Sequence, residues 1–130
     1  MFRFLPTLAL LVFPALCFPA AAMAGDPEIV KVKVTKPDMG WRFEVTVRHD
    51  DAGWDHYADA WEVTDLDGKR LGYRKLHHPH EHEQPFTRSL RGLMIPDGIR
   101  VVLVRAHCSE HGWSSNPVEV KLSPSGRGSY

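Results

Sequence analysis

Alternation is the feature that most constrains this chain. "WRFEVTVRH" places Trp41, Phe43, Val45 and Val47 on one face and Arg42, Glu44, Thr46 and Arg48 on the other. "EIVKVKVTK" sets Val30, Val32 and Val34 opposite Lys31 and Lys33. "HYADAWEVTD" offers Tyr57, Trp61 and Val63 in phase, and "NPVEVKL" offers Val118, Val120 and Leu122. A period of two buries one face of an extended strand, whereas a helix would scatter these residues around its axis. "RLGYRKL" is a weaker run suited to an edge, and "FTRSLRGLMI" and "IRVVLVRAHC" complete the set. The connections "KPDMG", "DLDGK" and "IPDG" are rich in Pro, Asp and Gly, which suit strand reversal. About seven antiparallel strands in roughly a hundred residues predict an all-β, immunoglobulin- or fibronectin III-like β-sandwich. A small barrel is the alternative.

Residues 1–24 have a different character. Arg3 precedes an apolar stretch from Phe4 to Phe18, and Ala22-Met23-Ala24 matches the small-residue pattern at which a signal peptidase cuts. The stretch is short for a membrane span and is interrupted by Pro6 and Pro14. A lipidation site at Cys17 would need a small residue before it, and Leu16 stands there. The expected organisation is a cleavable signal peptide (1–24), one β-sandwich domain (25–122) and a flexible tail (123–130). The expected location is periplasmic or secreted, with no membrane anchor in the mature chain.

The whole chain balances 16 basic against 16 acidic side chains, and loss of Arg3 with the leader leaves one net negative charge. Such balance argues against nucleic acid as a partner. Only Cys108 remains after cleavage, so no disulfide can staple the mature domain.

Strands that alternate in direction put successive connections at opposite ends. "HDDAGWDH", "HHPHEHEQP" and "HCSEHGW" then share one pole and hold every histidine of the protein. Imidazole is the commonest metal ligand and suits zinc and copper. In an extended loop His78, His80 and His82 point one way, with neighbouring Cα atoms about 6.5–7 Å apart, and Glu81 and Glu83 could orient their rings. Cys108 and His111 form Cys-x-x-His, a pair able to share a soft or borderline metal. His49 continues the inward parity of Val45 and Val47. The expected metal ligands are therefore His78, His80, His82, His111, Cys108 and His49, with Glu81, Glu83, Arg88 and His56 around them. Arg88 has two readings, an ion pair with Glu83 or a place facing the histidines. Asp50, Asp51 and Asp55 read as turn formers, and Trp54 and Tyr57 as caps of the core.

An upstream histidine followed by Cys-x-x-His resembles the blue-copper arrangement of cupredoxins, which would imply electron transfer. No methionine follows His111 to supply that family's axial ligand. The runs "GWDHYADAWEV" and "HPHEHEQPFTRS" resemble a group of small exported bacterial proteins without assigned activity, which implies export and a compact β domain. No catalytic constellation emerges, since adjacent His107 and Cys108 face opposite ways on a strand. The expectation is a non-enzymatic copper or zinc carrier, buffer or accessory protein serving a metal-handling partner. A metal-free module that recognises a protein or ligand is the alternative.

Overall fold

The computed structural model describes residues 25–130; the expected signal peptide, with Cys17, lies outside the described residues. The described chain is all-β. Its nine strands are β1 (Glu28–Thr35), β2 (Trp41–Arg48), β3 (Ala58–Thr64), β4 (Arg70–Lys75), β5 (Phe86–Leu93), β6 (Val101–Cys108), β7 (Gly112–Trp113), β8 (Val118–Ser123) and β9 (Arg127–Ser129). Every pairing is antiparallel. Neighbours run β4-β3-β6-β8-β9-β1-β2-β5, with β7 paired to β6. The two ends of that order approach each other. A Cβ on Gly72 of β4 would stand 2.7 Å from the side chain of Leu93 of β5, so the sheet is nearly closed.

The alternating runs bury as their period requires. Phe43, Val45 and Val47 meet Trp61, Val63, Val102, Val104 and Val120 in one core. Trp61 is fully buried; an aromatic side chain of this kind removes roughly 150–250 Å² from water, about 4–6 kcal/mol of burial free energy. In β1 the expected phase slips. A register shift between Ile29 and Lys31 opposite β2 turns Ile29 inward in place of Val30, because a bulge inserts one residue and exchanges faces. Glu62 points away from the core yet is only 2% exposed. Arg70 Nε donates to it at 2.6 Å and Arg105 Nε at 2.8 Å, and both guanidinium groups lie over Trp113.

The tail also departs from expectation. Residues 127–129 form a strand between β8 and β1, and Tyr130 exchanges backbone hydrogen bonds with Val32. Gly126, at φ 82°, permits the turn, and Gly128 lets the strands approach where a Cβ would meet the Lys121 carbonyl at 2.9 Å. Among the described residues, no helix is long and apolar enough to cross a membrane.

Candidate metal centre

Three connections meet at one end of the sheet: 49–57, 76–85 and 109–117. Polar contacts tie them together. Ser109 N donates to the Tyr57 carbonyl at 2.9 Å, and Tyr57 N donates back to Ser109 Oγ at 3.0 Å. His80 N donates to Asp51 Oδ2 at 2.7 Å, and His49 N donates to Gln84 Oε1 at 3.0 Å. The N-terminal segment reaches the same pole because Glu28 pairs with Arg48, so residues 25–27 run on beside the chain after β2. Ser114 Oγ donates to Asp26 Oδ2 at 3.0 Å and fixes that segment.

His49, His56 and Cys108 present ligand atoms all within 4.8 Å of one another, and His56, Glu110 and His111 do the same. His56 belongs to both groups. Its ring stands edge-on to His49, with centroids 4.8 Å apart, and edge-on to His111 at 5.0 Å. Cys108 is fully buried at the end of β6. Its Sγ lies 3.6 Å from His111 Nδ1. In a tetrahedral zinc site, metal–sulfur and metal–nitrogen bonds of about 2.3 and 2.05 Å require about 3.6 Å between the two ligands. This pair already stands at ligand spacing.

The hydrogen-bond inventory separates the imidazoles. His56 Nδ1 faces Glu110 Oε2 at 3.7 Å, while its Nε2 is buried and has no hydrogen-bond partner among the described residues. With the proton on Nδ1, Nε2 offers a free lone pair. His49 is held at both nitrogens: Nδ1 is 2.7 Å from Asp51 Oδ1 and Nε2 is 2.8 Å from the Gly25 carbonyl. A carbonyl only accepts, so His49 Nε2 donates in this arrangement. To ligate a metal through Nε2 it must release Gly25 and lose the Nε2 proton to solvent, with Asp51 then orienting the ring through Nδ1 as carboxylates do behind metal-bound histidines.

The central loop behaves differently. His80 is 5% exposed, its ring stacks on Phe86 with centroids 3.8 Å apart, and Arg88 Nη2 donates to its Nε2 at 2.8 Å. That nitrogen is therefore occupied by a cation. His78 is exposed and tilted against His80, and His82 is exposed. Neither belongs to a cluster of potential ligands among the described residues. Glu81 and Glu83 are exposed, and Glu83 stands 4.0 Å from Arg88, so Arg88 meets both the acid and the histidine loop. His107 faces away from the cluster and pairs with Asp59 beside Trp113.

Burial holds the His80 pKa below 6.5, with further lowering from Arg88 and His78; Asp51 and Glu83 oppose this. Below about pH 6.5 the unfolded chain therefore binds a proton more readily at this position than the folded one. Stability contributed by neutral His80 is complete above that pH and declines as pH falls toward the lowered folded value. The melting temperature of the native chain should fall more between pH 7 and pH 5 than that of His80→Gln; equal slopes would contradict this.

Several participants escape sequence reading. Asp51, read as a turn former, has a fully buried side chain and joins three segments. Gln84 bridges His49 and His80, donating from Nε2 to the His80 carbonyl at 2.9 Å. His49 followed by an aspartate two residues on, at a strand end, is the signal available for Asp51. Trp54, read as a core cap, is 66% exposed and stands edge-on to Tyr57. The inward places of its loop are taken by the Asp51 and His56 side chains.

No protein-family model matches the chain. No solved structure matches it. A curated relative from Halomicrobium mukohataei, named "Putative lipoprotein", is 45% identical over 92 residues, covering 68% of this chain and 45% of the relative. The chain thus spans about half the length of the curated relative it matches.

Proposed function

We propose that this chain is an exported β-sandwich protein that binds zinc or copper at its histidine-bearing pole and serves as a metal carrier, buffer or accessory protein. The observation that carries the reading is that two groups of potential ligands, His49, His56 and Cys108 in one and His56, Glu110 and His111 in the other, share His56. Cys108 Sγ and His111 Nδ1 stand 3.6 Å apart, and the buried Nε2 of His56 has no hydrogen-bond partner among the described residues. His49, backed by Asp51, holds the Gly25 carbonyl; it ligates only where that bond opens. A thiolate with imidazoles suits Zn(II), Cu(I) and Cu(II). His78, His80 and His82 enter this reading as the neighbouring loop that Arg88 and Asp51 hold in place.

On the sandwich reading, β1-β2-β5 would form one layer and β4-β3-β6-β8 the other, with β9 joining them in the continuous strand order. The leader pattern and the name of the relative support export. The resemblance carried by "HPHEHEQPFTRS" fits the same reading, and the partner would be a protein that delivers or receives the metal.

A metal that binds only the native state must raise the melting temperature. With free metal about a hundredfold above the dissociation constant, stabilisation is about 2.7 kcal/mol, or about 10–20 °C for a domain of this size. Thermal unfolding with and without Zn(II), Cu(II) and Cu(I) tests it. A large shift from one metal is expected; none, or small equal shifts from all, would leave a metal-free recognition module. For that second reading, exposed Trp54 at the same pole is the supporting observation.

A further inference from the structure

The first residue of the expected mature chain lies against the ligand cluster. A Cβ built on Gly25 would stand 2.9 Å from His111 Cε1, 3.1 Å from His111 Nδ1 and 3.4 Å from His56 Nε2. Gly25 has φ of 102°, a conformation that L side chains rarely adopt, so glycine fits here on both steric and backbone grounds. Its carbonyl accepts from His49 Nε2 at 2.8 Å, and Asp26 next to it accepts from Ser114. The segment is thus pinned on two sides.

We propose that cleavage after Ala24 completes the metal centre by freeing the α-amino group of Gly25 as a ligand beside His56, His111 and Cys108. The inference rests on the metal-binding reading above. Before cleavage this nitrogen belongs to a peptide bond, where resonance withdraws its lone pair. After cleavage it is an amine, whose nitrogen lone pair is no longer delocalised into a carbonyl and is available to a metal. The nitrogen and the Cβ position are both substituents of Cα, about 2.5 Å apart for bonds of about 1.5 Å at tetrahedral angles. The amine therefore starts within about 6 Å of both His56 Nε2 and His111 Nδ1. Rotation once Ala24 is gone can close the remaining gap while the carbonyl stays anchored.

The consequence is a site that reaches full affinity only on the processed chain. A precursor, or any form retaining residues ahead of Gly25, presents an amide at this point and binds metal more weakly.

The test compares three chains ending at Tyr130: one beginning at a free Gly25, one beginning at N-acetylated Gly25, and one beginning at Ala24. Zinc affinity is measured by competition with a chromophoric chelator, and metal-free unfolding establishes that all three fold alike. The free Gly25 chain should bind zinc at least about tenfold more tightly than either other form. Equal affinities, abolished in each by Cys108→Ala, would overturn the amine ligand and leave the side-chain site standing. Absence of Cys108-dependent binding in all three would instead overturn the metal reading, and this inference with it.

Discussion

Replacing Asp51 by alanine should cost about 3–5 kcal/mol of folding free energy, the range for removing one partner of a buried charged network. The carboxylate is fully buried and accepts from His49 Nδ1 at 2.7 Å, Ala58 N at 3.0 Å and His80 N at 2.7 Å. Deleting it strands donors from three parts of the chain, each costing about 1–3 kcal/mol when left unpaired and dry. Asparagine should rescue little, because its amide NH2 must face at least one of these donors. Urea unfolding with an unchanged m-value would report the loss. A cost below about 1 kcal/mol would mean that other contacts hold the loops together.

That network explains how the pole is built. β2 delivers His49 inward, Asp51 ties it to the start of β3 and to the histidine loop, and Gln84 of that loop accepts from the His49 backbone N–H. The hydrophobic core fixes the strand ends, while the buried carboxylate fixes the loops between them. His56, from the connection after β2, is thereby brought to the pole where β6 ends at Cys108 and His111 follows.

Much of this was legible in the alternation of apolar residues. Val45, Val47 and His49 share one parity, and the buried positions of β2 follow it through the strand end. The histidine-bearing connections share a pole because antiparallel strands alternate in direction. What escaped reading depended on backbone pairing or on contacts between distant loops. "GRGS" has no apolar signal for β9, since that strand is held by backbone hydrogen bonds and by the absence of a Cβ at Gly128. The bulge at Ile29 leaves no mark in composition. The spacing of His78, His80 and His82 suggested a common ligand face, yet Arg88, eight residues beyond His80 and across Pro85, occupies its Nε2. The nearness of Gly25 to His56 and His111 follows from strand register, which no local pattern reveals.

Cys108 carries the second large expectation. Cys108→Ala removes the thiolate while leaving His49, His56 and His111 in place, and should weaken zinc or copper binding at least about 100-fold, beyond the usual cost of losing a residue that only orients a ligand. Because the side chain is fully buried and small, alanine leaves little cavity and the fold should persist. Metal affinity measured by chelator competition on the native and substituted chains checks this, with His82→Ala as a surface control that should bind as the native chain does.

The most direct test of the central claim is X-ray absorption at the metal edge of the protein loaded with one equivalent of zinc. One sulfur scatterer at about 2.3 Å is expected together with nitrogen scatterers at about 2.0–2.1 Å, the sulfur being lost in Cys108→Ala. A shell of nitrogen and oxygen alone, unchanged by that substitution, would contradict it.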